Sequence, residues 1–307
     1  MKKAICYISK THNPFFNLAI EDWIFNDIEP NQEILFLWQN DRSVIIGRNQ
    51  NPHAECNLIR LEEENVALVR RHSGGGAVYQ DLGNLNFTFL SSKKEYDRKR
   101  NFQIIINALK KFNINAETSG RNDILVEGKK VSGSAFKETP HKAFHHGTLM
   151  MHVNLDELQN YLTPSKKKLL AKGTTSVRSR VTNLKEFNEN ISFQSLTEAI
   201  IEEFFSCYNS ERNIEFLDEN HLKNILELVK YQELLKSDEW RLGETPQFDH
   251  HLEERLSWGC IDLHFNVKGN KIQDVKIFSD ALNVEMIQVL EESLKEIDYN
   301  KDSIQQT

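Results

Sequence analysis

Three consecutive glycines, Gly74-Gly75-Gly76, separate two apolar runs of strand length, and no regular element can run through them. Val66-Ala67-Leu68-Val69 reads as a strand before them, and Leu85, Phe87 and Phe89 alternate as a second strand after Asp81, Gly83, Asn84 and Asn86. The chain therefore turns at 74–76, where glycine lets backbone N–H groups approach a ligand closely. Arg70 and Arg71 add forked donors suited to phosphate or carboxylate. Together these residues read as an anion cradle between two strands; a hairpin loop with solvated arginines is the alternative. The loop is not a GxxxxGK[ST] phosphate loop and opens no GxGxxG helix, and no HRD or DFG sequence follows to make it the ATP cover of a protein kinase.

Around this turn, strands and helices interleave without a strict βαβ repeat, which predicts an α+β fold on a mixed sheet. Met1 to Ile8 reads as a first strand, and Phe16, Ala19, Ile20, Trp23 and Ile24 recur at helical spacing after a cap near Asn13 or Pro14. Ile34–Trp38 and Val44–Gly47 predict a hairpin joined by Gln39-Asn40-Asp41-Arg42. Further helices are predicted at 52–65, around Phe102 to Leu109, at 194–205 and at 222–235, with a strand at Ile124-Leu125-Val126. The glycine and proline of Trp240–Gln247 mark a linker. Beyond it, alternating Ile261, Leu263, Phe265 and Val267, the turn Gly269-Asn270, returning Val275–Phe278 and a helix over Met286–Ile297 form a small unit. The expected domains are 1–243 and 244–307.

A chain of 307 residues with net charge −7 argues against general nucleic-acid binding, which needs a basic footprint. Cysteines 6, 56, 207 and 260 have no metal-finger spacing and fit reduced thiols of a cytoplasmic protein. No apolar run approaches the length needed to span a membrane, and the N-terminus lacks a signal-peptide pattern.

Two further blocks carry chemistry. In Asn122-Asp123 to Ala135, the centre Glu127-Gly128-Lys129-Lys130 reads as a turn between strands. Strand alternation then places Lys130 and Ser132 on one face, Val131 and Gly133 on the other. His145-His146-Gly147-Thr148-Leu149-Met150 reads as a strand opened by two histidines, for which no third metal ligand is identified. Lys166 to Lys168 and Lys172 to Asn183 form a basic, hydroxyl-rich segment able to close over a nucleotide.

Read together, Arg70-Arg71-x-Ser73-Gly74-Gly75-Gly76-Ala77-Val78, Asp81-x-Gly83-Asn84, Asn122-Asp123, Lys130-Val131-Ser132-Gly133-Ser134-Ala135, His145-His146-Gly147-Thr148-Leu149 and Thr175–Arg180 resemble the lipoate–protein ligase A family, in the family's order. The resemblance reaches Ser257-Trp258-Gly259 and so covers nearly the whole chain. It implies a biotin/lipoyl ligase-like mixed-sheet α/β domain with a small C-terminal α+β accessory domain, which rotates on the 240–247 linker. It also implies a two-step reaction in which lipoate and ATP, with Mg2+, give lipoyl-AMP, and the lipoyl group then passes to a carrier lysine. The implied acceptors are lipoyl domains of 2-oxoacid dehydrogenase E2 subunits and the glycine cleavage H protein, with no nucleic-acid or membrane partner. Lys130 is implied as the catalytic cation, contacting both the lipoyl carboxyl and the phosphate. The resemblance assigns Arg71, Gly76, Ala77, Val78, Tyr79, Asn84, Asp123, Lys130, Thr175, Ser176, Val177 and Arg178 to ATP and adenylate, with Asp123 also facing the metal. It assigns Arg70, Ser73, Gly74, Gly75, Trp38, His146 and Lys130 to lipoate. Two other readings stay open: a lipoyl or octanoyl transferase without the adenylation step, and a non-catalytic acyl-adenylate binder.

Overall fold

The structure, a computed structural model, describes residues 3–120, 122–163, 181–243, 248–300 and 303–304. In chain order the elements are β1 (Lys3–Ser9), α1 (Pro14–Asp27), β2 (Gln32–Trp38), β3 (Ser43–Ile46), α2 (Pro52–Glu55), α3 (Leu58–Glu63), β4 (Ala67–Arg70), β5 (Val78–Gln80) and β6 (Asn84–Ser92). Next come α4 (Arg98–Lys110), β7 (Ala116–Ser119), β8 (Asp123–Val126), β9 (Lys129–Glu138), β10 (Lys142–Met150) and α5 (Leu155–Tyr161). The chain then forms α6 (Phe193–Tyr208), β11 (Ile214–Leu217), α7 (Glu219–Leu222), α8 (Leu226–Lys236), α9 (Asp238–Arg241), β12 (His250–Arg255), β13 (Cys260–Lys268), β14 (Lys271–Ser279) and α10 (Val284–Ser293).

The main sheet has the order β11-β1-β2-β6-β10-β9-β8-β7. It is mixed as expected, because β11 and β2 run parallel to β1 while the remaining pairs are antiparallel. One face carries Leu35, Leu37, Leu85, Phe87 and Leu149 against Ile105 and Leu109 of α4 and Leu196, Ile200 and Phe204 of α6. The opposite face carries Phe36, Trp38, Leu90 and Phe144 against Phe16, Ile20, Ile24 and Phe25 of α1. Each such side chain contributes roughly 1.5–3 kcal/mol on burial. Helix α1 starts where predicted: Asn13 Oδ1 accepts from the N–H of Phe15 and of Phe16, and Pro14 occupies the first turn.

Strands β4, β3 and β5 form a second sheet in that order, and β12, β13 and β14 a third. The predicted 34–47 hairpin is therefore wrong, since β2 pairs in the main sheet and β3 in the second one. The residues read as its turn are instead a polar corner. Asn17 Nδ2 donates to Gln39 O and Asn40 Oδ1, and Asn40 Nδ2 donates to Gln80 Oε1. The glycine turn likewise joins β4 to β5 on opposite sides of β3, and the alternating strand at Leu85 to Phe89 belongs to the main sheet. The 52–65 helix breaks into α2 and α3, with Asn57 capping the second. The histidine pair sits in the middle of β10 rather than at its start. In the presumed 240–247 linker, Trp240 is fixed by mutual bonds with Arg70: Nε1 donates to Arg70 O, and Arg70 Nε donates to Trp240 O. Residues 244–247 lie outside the described residues.

His145 is fully buried on the α4 side, with ring centroids 4.6 Å from Phe102 and 4.8 Å from Phe136, and both ring nitrogens lack partners among the described residues. Burial, with smaller contributions from His146 and Arg98, holds its pKa well below the usual 6.5. The unfolded chain therefore takes up a proton below pH 6.5 that the folded chain refuses, so stability falls with pH by up to about 1.4 kcal/mol per unit. His145→Leu is expected to flatten that loss in thermal melts between pH 6.5 and 5, and to raise stability at pH 7 by about 1–3 kcal/mol because two unpaired buried nitrogens are removed. An unchanged pH slope would refute this account.

Candidate active site

Beyond the part covered by α1, the same face of the main sheet becomes polar and floors a cavity. Trp38 pairs with Asn86, Asn86 with Thr148 and Gly147 with Ser134, and all line it. The second sheet supplies the facing wall through Gly75, Gly76, Ala77, Val78, Tyr79 and Gln80. Ser134 Oγ is buried without a partner among the described residues, but it turns to the Phe87 side of the sheet, so this residue meets the cavity through its backbone.

Lys130 reaches this cavity through a bulge. Leu125 pairs with Lys130 and Ile124 with Ser132, so Val131 is an extra residue that reverses the alternation. Lys130 and Gly133 therefore share the cavity face, while Ser132 is buried with Val131; the face assignment read from the sequence is corrected. Lys130 Nζ lies 2.6 Å from Asp123 Oδ1, with side chains 24% and 19% exposed, so the cation is fixed without leaving solvent. The chain re-enters the described residues beside it: Thr182 N–H donates to Lys130 O at 2.9 Å, and Val181 lines the cavity. Thr175, Ser176, Val177 and Arg178 lie outside the described residues.

A buried network fixes the glycine turn to the floor. Glu21 in α1, 2% exposed, accepts from Thr88 Oγ1 at 2.6 Å and faces His146 Nδ1 at 2.9 Å. With that nitrogen donating, His146 Nε2 accepts from Ser73 Oγ at 2.8 Å, and Ser73 Oγ accepts from Arg71 Nε at 3.0 Å. Arg71 donates further to the carbonyls of Ile45, Gly74 and Gly76, which sets the path of the turn. Burial lowers the Arg71 pKa to about 10, with Glu21 opposing, so it stays cationic at neutral pH. The order serine, histidine, glutamate mimics a nucleophilic triad, but Ser73 is completely buried and does not line the cavity.

The cavity brings together Trp38, Arg71, Gly75, Gly76, Ala77, Val78, Tyr79, Asn84, Asp123, Lys130 and His146. It does not include Arg70, Ser73 or Gly74. Arg70 is pulled to about 10 by burial and spends its guanidinium on the carbonyls of Gly47, Arg48, Gln50, Trp240 and Arg241, so it braces the turn from behind. Sequence reasoning quoted Asn86, Asn122 and Thr148 within its motifs but gave them no site role, and it missed Gln80 and, behind them, Glu21. An acidic residue inside the apolar face of a helix was the available signal for Glu21.

Arg255, Asp280 and Leu282 of the C-terminal sheet domain also line the cavity. Arg255 holds Asp280 at 2.8 Å, and this segment is joined to the glycine turn and its neighbour by backbone: Gly75 N–H donates to Ala281 O at 3.0 Å and Ser279 N–H to Asn49 O at 2.7 Å. Glycine is required here twice. Gly75 has φ +90°, and a Cβ at Gly74 would lie 2.3 Å from Ala281 O and 2.7 Å from Leu282 O. Gly74→Ala is therefore expected to separate this joint while the main sheet stays folded. Amide exchange at Gly75 and Ser279 should speed at least about tenfold, the equivalent of about 1.4 kcal/mol; unchanged protection there would overturn the expectation.

The four thiols are not candidates for covalent chemistry. None lines the cavity, and burial raises every one, Cys56 to about 12 and Cys260 to about 11.

The family model described as "Lipoyl protein ligase A/B catalytic domain" matches residues 13–205, and "Bacterial lipoate protein ligase C-terminus" matches residues 245–307. Lipoate-protein ligase A of Psychrobacter cryohalolentis is 53% identical over 301 residues, covering 96% of this chain and 89% of that protein. Among solved structures, P. falciparum LipL1 in complex with lipoate matches with TM-score 0.88 at 40% identity, over 98% of this chain and 93% of that one. A lipoate-protein ligase A bound with ATP matches with TM-score 0.68 at 25% identity, over 79% and 99%. The bi-partite lipoate protein ligase of Thermoplasma acidophilum, solved with its E2 lipoyl domain, matches with TM-score 0.69 at 26% identity, over 81% and 100%. With two family models spanning most of its length and a relative above half identity, this chain belongs to the lipoate–protein ligase family.

Proposed function

We propose that this chain activates lipoate with ATP and transfers the lipoyl group to a lysine of a carrier domain. In the first step the lipoate carboxylate attacks the α-phosphorus and pyrophosphate leaves, giving lipoyl-AMP. In the second the acceptor amine attacks the acyl carbon, loses a proton, and AMP leaves. Negative charge meets negative charge in the first step, so a fixed cation and N–H donors at the reacting centre lower the barrier most. The observation that carries the reading is the convergence of Lys130, held by Asp123, with the Gly75–Tyr79 wall of another sheet on one cavity.

Lys130 faces the carboxyl and the α-phosphate in both steps. Arg71, Gly76, Ala77, Val78, Tyr79 and Asn84 serve the adenylate side, joined by Thr175 to Arg178. Trp38, Gly75 and His146 border the lipoyl side, where an apolar wall suits a hydrocarbon tail. Arg70, Ser73 and Gly74 hold the turn in shape rather than touch the acyl chain. Asp123 and Asn122 line the cavity with side-chain oxygens of the hard kind that would hold Mg2+, and the ion would neutralise phosphate charge there. The domains are 1–243 for catalysis and 244–307 as accessory unit. Acceptors are E2 lipoyl domains and the glycine cleavage H protein, in the cytoplasm, with no nucleic acid or membrane involved. No helix among the described residues is long and apolar enough to cross a membrane.

The test supplies lipoate and α-labelled ATP, then a lipoyl domain. Pyrophosphate and labelled lipoyl-AMP should accumulate without acceptor, and AMP should appear on its addition. Transfer from prepared lipoyl-AMP with no pyrophosphate release would assign the chain to the transferases instead, and binding without transfer would make it a binder.

A further inference from the structure

We propose that His251, Asp262 and His264 form a binding site for one zinc-class divalent ion on the C-terminal sheet, apart from the catalytic cavity. Strand register sets His251 of β12 opposite His264 of β13, and Asp262 stands two residues before His264 on the same face. The alternate residues Ile261, Leu263 and Phe265 point to the other face, into the core under α10. His251 Nε2 lies 2.6 Å and His264 Nε2 2.9 Å from Asp262 Oδ1, and the ligand atoms all fall within 4.8 Å of one another. The two rings stack at 4.6 Å and 23°, which keeps both Nε2 atoms on one side.

The plain alternative is a carboxylate accepting from two imidazoles. His251 fits it, with Nε2 hydrogen-bonded to Asp262 Oδ1, but His264 does not: its buried Nε2 makes an ion-pair contact to the same oxygen without hydrogen-bond geometry. A ring nitrogen 2.9 Å from a carboxylate oxygen but off the hydrogen-bond line has the spacing of two ligands of a common ion. Two imidazoles and one carboxylate match the donor preference of Zn2+, with water in the fourth position, and each imidazole coordinates as its neutral Nδ1–H form. His251 is 56% exposed on an edge strand and gives the ion a way in. Bound there, the ion staples β12 to β13, and β12 ends at Arg255 in the cavity wall.

The experiment uses the full chain without a histidine tag, stripped with chelator and titrated with Zn2+ by calorimetry, and with Co2+ by visible absorption. One equivalent should bind in the micromolar range and raise Tm by several degrees. His251→Gln, on the exposed edge, and His264→Ala should each weaken Zn2+ binding at least about tenfold. No binding up to 100-fold above the micromolar range, or binding equal in both variants and the parent chain, would overturn the site.

Discussion

Lys130→Ala should lower lipoyl transfer about a thousandfold while leaving the fold intact. A preorganised donor at a developing charge is worth roughly 3–4 kcal/mol of barrier, which sets that scale. The stability cost is small because the side chain is partly exposed and its ion pair among the described residues, with Asp123, also keeps contact with solvent. Arginine should not rescue activity. Lys130 Nζ packs against Gly133, where a Cβ would lie 2.7 Å from it, and a longer, planar guanidinium places its charge at a different point of the cavity. The check is steady-state transfer alongside thermal melting, repeated with prepared lipoyl-AMP to read the second step alone. Activity within tenfold of the parent chain would remove Lys130 from the mechanism.

The largest stability effect belongs to Glu21→Ala, which should cost about 3–5 kcal/mol and lower Tm by about 10 °C. Glu21 is the acceptor for Thr88 and His146, and its charge opposes the effect of burial on Arg71. Its removal strands two buried donors and leaves an arginine cation under-compensated, so the penalty is desolvation without repayment. Because the same chain of bonds runs through Ser73 to the carbonyls of Gly74 and Gly76, substrate affinity should fall too, whereas Glu21→Gln should retain part of both. A Tm within about 2 °C of the parent chain would show that the network does not hold the turn.

What could be read from sequence was what local chemistry announces. The glycine turn, the cap at Asn13, the Gly269-Asn270 hairpin and Lys130 each declare themselves within a few residues. Lys130 was found although its strand face was misassigned, because a one-residue bulge at Val131 leaves no mark on the alternation until the partner strand is known. The false hairpin at 34–47 has the same origin: apolar runs specify strands, but buried Asn40 bonding to Gln80 decides which sheet each joins. Short β5, β7 and β11 carry too few residues for a periodic signal. Glu21 drew no reading and Arg70 was read as a ligand group, because their partners lie far along the chain.

The hydrogen bond from Gly75 to Ala281 gives the protein an order of assembly. It closes a loop of about two-thirds of the chain, yet loop entropy grows only logarithmically with length, so the closure itself is cheap. During synthesis the sheet, the glutamate network and the lysine can all be in place before residues 255–282 emerge, and the cavity then stands open on one side. Its last wall arrives with the final fifth of the chain, making competence for catalysis a late event that follows folding of the main sheet rather than accompanying it.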